Sequence, residues 1–263
     1  MTAFIAANFS YDGIISSEYG LRITSDDSTS SAGANVQLYT QKIYRRPKTY
    51  LLGIEQTPVL SIPIRINVPD QLSATEDSVI SKWLFGRQNY KKLQIIQSDM
   101  EYVYFNCIFM DKQTERIGNI IRGYYANIVC DSPFAWTYPK TKTYSYPSGY
   151  LINDNIQIVN SSDMDDYTYP SMSFTMNVFG GDLSIINTSD SNREFLFEGL
   201  SANETITIDN DLEIITSSVS GVNRLSNFTD YKWMRYKPGI NNLQLSGNIS
   251  SISFTNQFAK KMS

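Results

Sequence analysis

The chain has 263 residues, a net charge of −4 and no histidine. That length suits one large or two ordinary domains, and 41% apolar with 18% charged residues is the composition of a packed chain, not a disordered one. The absence of histidine excludes imidazole-activated nucleophiles, histidine general bases and histidine-held metals. Carboxylate-pair hydrolysis and lysine chemistry stay open, because neither needs imidazole.

No run approaches the roughly 18 consecutive apolar residues of a membrane span. The opening MTAFIAANFSYDGI has no basic segment before a long apolar run, so no signal peptide is read and no membrane partner is expected. Triplets such as Asn187-Thr188-Ser189 then carry no glycosylation reading. Charge is uneven: residues 1–140 hold a net +1 and residues 141–263 a net −5. Neither half is basic enough for tight nucleic-acid binding, which phosphate neutralisation drives.

In chain order, SDDSTSSAGAN (25–35) is polar and aperiodic and reads as a loop. Arg45, Arg46 and Lys48 lie beside Tyr44 and Tyr50. Such a cluster can grip a single nucleic-acid strand, but on a nearly neutral domain it reads better as the polar rim of a protein interface or as plain surface. In TPVLSIPIRINV, Leu60, Ile62, Ile64 and Ile66 alternate with polar residues, predicting a half-buried strand. Pro63 cannot donate to a ladder, which predicts an edge strand or a bulge.

Ser73-Ala74-Thr75-Glu76 is a capping box that predicts a helix start. Val79, Ile80, Trp83 and Leu84 follow at helical spacing, as in a helix packed on a sheet, and Gly86 is placed to end it in the left-handed conformation. In YVYFNCIFM, Val103, Phe105, Cys107 and Phe109 share one face while Tyr102, Tyr104 and Ile108 share the other. That pattern predicts a strand covered on both sides. GYYANIVC continues with Tyr124, Ala126, Ile128 and Cys130. Cys107 and Cys130 lack metal-site spacing and read as buried thiols. A disulfide would require neighbouring strands with close Cα atoms.

SPFAWTYPKTKTYSYPSG, with Pro133, Pro139, Pro147 and Gly149, predicts a boundary near residue 140 between domains 1–140 and 141–263. Beyond it, Asp163-Met164-Asp165-Asp166 clusters carboxylates, but without the spaced ligands of a calcium loop it reads as solvated surface. Met172, Phe174, Met176 and Val178 alternate up to Gly180-Gly181, and Phe195 alternates with Phe197. Ile206 and Ile208 precede a turn at Asp209-Asn210-Asp211, after which Leu212 and Ile214 resume. Leu243, Leu245, Ile252 and Phe254 flank the turn Ser246-Gly247-Asn248. Many short strands at close spacing argue for an antiparallel sandwich, and the whole chain reads as mainly β. Asp209, Asp211 and Glu213 could supply a glycosidase pair only across a cleft, and their turn chemistry already explains them. No phosphate-binding, dinucleotide, nucleophile-elbow or zinc motif is present.

Phe9, Gly13, Ser17, Glu18, Tyr19, Gly20 and Leu21 in FSYDGIISSEYGLRITS resemble the start of the distal tail proteins of long-tailed, non-contractile bacteriophages. The helix ending in Trp83-Leu84, the segment CDSPFAW (130–136), Tyr169-Pro170 and Lys237-Pro238-Gly239-Ile240-Asn241 are similar in the same order. The loop at 25–35 departs from the family in lacking a Pro-Gly-basic-Asp-Gly segment. The resemblance implies a first domain that is a β-sandwich or split barrel with one helix and closes a hexameric ring. It implies a second, peripheral domain that is a galectin-like or carbohydrate-module-like β-sandwich.

The implied partners are further copies of the chain, the tail tube protein and a tail-tip or receptor-binding baseplate protein. Tape measure and DNA would pass through the lumen without tight binding. No catalytic residue, cofactor or metal is implied, and the place of action is the distal end of the virion tail after synthesis in the host cytoplasm. Two other readings compete. One is a carbohydrate-binding adhesin whose second domain stacks sugars or a partner on Trp233 or Tyr236. The other is a carboxylate-dependent glycosidase.

Overall fold

The structure, a computed structural model, describes residues 4–25, 36–56, 61–68, 72–147 and 152–261. Leu60, Gly149 and the loop after Ser25 lie outside the described residues. The chain divides into two compact units, Met1–Thr137 with Lys260–Ser263, and Tyr138–Ala259.

The first unit holds β1 (Asn8–Tyr11), β2 (Ile14–Ile15), β3 (Arg22–Ser25), β4 (Val36–Lys42), β5 (Thr49–Gln56), β6 (Ser61–Asn67), helix α1 (Ala74–Phe85), β7 (Lys91–Ile96), β8 (Val103–Ile117), β9 (Ile120–Cys130) and β10 (Ala135–Thr137). Its main sheet runs β2-β1-β7-β8-β9-β6-β3, with β10 against β8 and against β21 (Ala259–Lys260). The sheet curls until its ends meet. Ala7, just before β1, exchanges both backbone bonds with Ile23 of β3 at 2.9 Å, and Ser25 donates to the Phe4 carbonyl at 3.1 Å. The result is a split barrel filled by Phe9, Tyr11, Ile23, Ile64, Leu93, Phe105, Phe109, Tyr124 and Ile128.

Helix α1 packs onto this core. The Glu76 amide donates to Ser73 Oγ at 3.2 Å while the Ser73 amide donates to Glu76 Oε2 at 2.8 Å, the reciprocal capping box its sequence predicts. Ile80, Trp83 and Leu84 are buried, but Val79 is 45% exposed: its position turns it off the inward stripe. The helix end also departs from expectation. Gly86 has φ −90°, not a left-handed value. What requires glycine is close approach, since a Cβ there would lie 2.6 Å from the Lys82 carbonyl oxygen. At Gly20 the left-handed conformation is real, with φ 65° closing the short 3-10 turn Ser16–Tyr19 and its N–H returning to that turn.

Strand β6 is an inner strand for part of its length. It pairs with β9 throughout, whereas its ladder with β3 runs only from Asn67 to Ile64 among the described residues. Pro63 sits opposite Asn127 of β9, one residue beyond Ile64, the last described position of the β3 ladder. On β8, Tyr104 is buried opposite Trp136 of β10 and Ile108 is half-buried, while Tyr102, in the turn before the strand, is exposed.

The second unit is a sandwich of two five-stranded antiparallel sheets. Its strands are β11 (Lys140–Ser145), β12 (Ile152–Asn160), β13 (Ser171–Met176), β14 (Gly181–Asn187), β15 (Arg193–Leu200), β16 (Thr205–Asp209), β17 (Ile214–Ser217), β18 (Phe228–Thr229), β19 (Gly239–Gly247) and β20 (Ile249–Asn256). The sheets are β11-β20-β13-β16-β17 and β12-β19-β14-β15-β18. The inward residues of both, among them Met172, Phe174, Ile185, Phe197, Ile206, Leu245 and Phe254, form one core. Two expectations fail at turns. Val178 is exposed because β13 ends at Met176 and Asn177 Oδ1 accepts the Phe179 amide at 2.9 Å. Leu212 and Ile214 are exposed because the chain first wraps the Asp209 carboxylate, and only the edge strand β17 follows.

Buried asparagines act as pegs for the long connections. Asn241 donates to the Lys237 and Gly239 carbonyls at 2.9 and 3.1 Å, shaping the Lys237–Asn241 turn, and accepts from Asn187 at 2.9 Å. Asn210 donates to the Pro170 carbonyl at 2.7 Å and accepts the Met234 amide at 2.9 Å. Each satisfies backbone groups that a loop would otherwise bury unpaired.

Candidate assembly surface

The sequence-predicted site residues scatter through these two units. Trp233 is 8% exposed and packs on Phe228 with ring centroids 4.8 Å apart. Tyr236 is 1% exposed and belongs to the same core. Burial raises the Tyr236 phenol well above its ordinary value. Neither ring offers an open face for a sugar or a partner to stack on, so both are core residues here. The carboxylate run 163–166 lies on a loop fastened by the Asp163 amide to the Ala259 carbonyl at 2.9 Å. Asp209 Oδ1 accepts the amides of Asp211 and Leu212 at 3.1 and 3.0 Å, so this carboxylate shapes a turn.

The charged pairs of both units are fasteners of the same kind. Asp77 on α1 accepts Tyr124 Oη at 2.7 Å and Lys112 Nζ at 3.3 Å, tying the helix to β8 and β9. Burial pushes the Asp77 carboxyl up, but those bonds win and hold it below the usual carboxylate range. Glu204, with no exposed side-chain surface, meets Arg224 at 2.7 Å and also accepts from Ser217 and from the Ser201 amide. Burial alone would raise its pKa; the bonds from Arg224, Ser217 and Ser201 outweigh that and bring it to about 2.

One element is left without a fold partner. Strands β4 and β5 form a two-stranded sheet of their own and pair with no other strand among the described residues. Opposite residues share a face. Thr40 faces Leu51, with Leu38 two residues along, whereas Gln41 faces Tyr50 and Tyr39 faces Gly53. Leu52 falls at the register shift and is 67% exposed. Leu38, Tyr39, Tyr50 and Leu51 are exposed as well, on both faces of the ribbon.

The basic cluster forms the tip of this hairpin. Tyr44 is 85% exposed, and the Arg45 guanidinium lies 5.3 Å from its ring centre. Arg45 takes a left-handed φ of 62°, and the Arg46 amide closes the turn on the Ile43 carbonyl at 3.0 Å. A hairpin alone is marginal in water. Among the described residues it carries exposed aliphatic and aromatic side chains on both faces and a cationic tip. Sequence reasoning found the tip and missed the stem, because QLYTQK and TYLLGIE carry no signal that distinguishes an uncovered strand from a covered one.

Both halves of the chain match family models. Residues 4–132 match a phage tail protein N-terminal domain and residues 134–256 a phage tail C-terminal domain. The chain belongs to a family of phage tail proteins. No curated protein matches its sequence. In fold, this tail protein is similar to the crystal structure of the SPP1 Dit protein (gp 19.1), described as a paradigm of the hub adsorption apparatus in phages infecting Gram-positive bacteria. The TM-score is 0.71 at 12% identity, covering 95% of this chain and 98% of that one. It is also similar to a chain of the phage P2 baseplate in its activated conformation with Ca, with a TM-score of 0.55 at 11% identity over 98% and 100% of the two chains. The resemblance to distal tail proteins and the mainly β, two-domain fold are thereby borne out.

Proposed function

We propose that this tail protein is a structural hub at the distal end of the virion tail. In this reading copies join through the first unit into a hexameric ring, and the ring connects the tail tube to the tail-tip or baseplate proteins. DNA passes through its lumen, and the chain does no catalysis. The observation that carries this reading is the β4–β5 hairpin, a ribbon with apolar side chains uncovered on both faces. Among the described residues no other strand of the protomer pairs with it, whereas a neighbouring copy could cover it. A contact between two different surfaces, repeated with a closing rotation, makes a ring. The baseplate and hub settings of the Dit protein and the phage P2 chain support the placement at the tail tip. A net charge of +1 over residues 1–140 suits a lumen through which DNA must slide.

Light scattering with negative-stain imaging of the same fraction tests the proposal. Six copies of 29.9 kDa give a particle of about 180 kDa with a central hole. A particle that stays monomeric at high concentration, and also when mixed with its tail tube protein, would sink the ring.

A further inference from the structure

We infer that Cys107 and Cys130 are a latent cross-strand disulfide, a dithiol in a reducing compartment that closes within one chain on exposure to a small-molecule disulfide oxidant. The geometry of β8 and β9 carries this. The two cysteines are direct partners in the antiparallel ladder, so their side chains leave the same face of the sheet. Both are fully buried and both are free thiols.

The type of pair is fixed by the next rung. The Asp131 amide donates to the Asn106 carbonyl at 3.0 Å, which makes 106 and 131 a hydrogen-bonded pair. Hydrogen-bonded and non-hydrogen-bonded pairs alternate along an antiparallel ladder, so Cys107 and Cys130 form the closer, non-hydrogen-bonded kind, with Cα atoms about 4.5 Å apart. A disulfide requires Cα atoms roughly 4.4–6.8 Å apart. That general spacing lies inside the window, so the register places the two thiols where a bond can close.

In the closed fold neither sulfur reacts. Burial, and then the neighbouring Cys130 thiol, holds the Cys107 thiol protonated. Oxidation thus belongs to folding or to local opening, and Cys130 is the point of entry because it is the last residue of β9. Its thiolate attacks one sulfur of the oxidant, breaking that S–S bond and expelling one thiolate. The Cys107 thiolate then attacks the Cys130 sulfur of the mixed disulfide and expels the second. Two protein thiols are oxidised, one small disulfide is reduced, and the two protons the protein thiols lose end on the two small thiols released.

The test is to refold the full chain from denaturant across a series of oxidised to reduced glutathione ratios, block remaining thiols in denaturant, and map peptides by mass spectrometry. The expected result is an internal Cys107–Cys130 link in folded monomeric chain, carried by a single population, lost on adding dithiothreitol, and accompanied by a reversible rise in melting temperature. The Cys107→Ala chain should instead fold with Cys130 free or glutathionylated and show no redox-dependent melting. Two blockable thiols in folded protein at every ratio, or links found only between chains or only in unfolded material, would overturn the inference.

Discussion

The indole N–H of Trp83 donates to the backbone carbonyl of Tyr11 at 2.9 Å, and the Trp83 ring stacks on Phe9 with planes 7° apart. One helical side chain thus clamps the first strand of the barrel, through Phe9 by stacking and through Tyr11 by hydrogen bonding.

Trp83→Phe keeps the stacking and removes the donor, leaving the Tyr11 carbonyl without that partner; the expected cost is about 1–3 kcal/mol. Trp83→Ala also leaves a cavity under α1 and should cost about 3–5 kcal/mol. Urea unfolding of both variants measures this. Equal losses would show that the hydrogen bond carries the whole effect and that the packing does not matter.

The Glu204–Arg224 pair makes acid stability testable. The folded carboxyl titrates at about 2, against 4.5 for a free glutamate in the unfolded chain. A depressed folded pKa stabilises above the unfolded value, so the contribution is complete above pH 4.5 and disappears as pH falls toward 2. A shift of that size corresponds to about 3 kcal/mol. Glu204→Gln should flatten that part of the urea-midpoint profile and lower stability at neutral pH by about 3–5 kcal/mol, since Arg224 loses its charge partner. A profile for the variant as steep as that of the parent chain would assign the acid sensitivity to other carboxylates.

Trp233 offers a contrast between core and ligand contact. Packed on Phe228 and nearly enclosed, it should cost about 3–5 kcal/mol when replaced by alanine, seen as a lower unfolding midpoint. A Trp233→Ala chain with unchanged stability and a lost glycan affinity would restore the residue to a binding role.

Strands with one clean face were legible in the sequence, because period-two alternation reports burial directly. Ile62, Ile64 and Ile66 and the pair Phe195 and Phe197 are of this kind. The capping box was legible because two residue types three apart make both its bonds. Less could be read where the decisive contact is distant. Tyr104 is held by the Trp136 pairing and the Lys92 ammonium over its ring, neither near it in sequence, and the glycine at 86 answers to the Lys82 carbonyl, not to a left-handed turn. The hairpin stem was illegible for a further reason. Leu38, Leu51 and Leu52 are ordinary strand residues, and their exposure is a property of what one chain leaves uncovered.

That uncovered stem gives the last prediction. Leu38 and Leu51 are exposed on a ribbon paired with no other strand among the described residues, so Leu51→Glu should change protomer stability by no more than about 0.5 kcal/mol. In a ring each of these side chains would be covered by a neighbour, at about 1.5–3 kcal/mol apiece, and a buried unpaired carboxylate would cost more than that burial gains. The variant should therefore fold with the melting temperature of the parent monomer and fail to form the particle of six copies, as read by light scattering. Leu51→Met, which keeps the apolar surface, should still assemble. Assembly undiminished by Leu51→Glu would move the subunit interface away from the hairpin, and loss of monomer stability in the same variant would show that the stem is covered within its own chain.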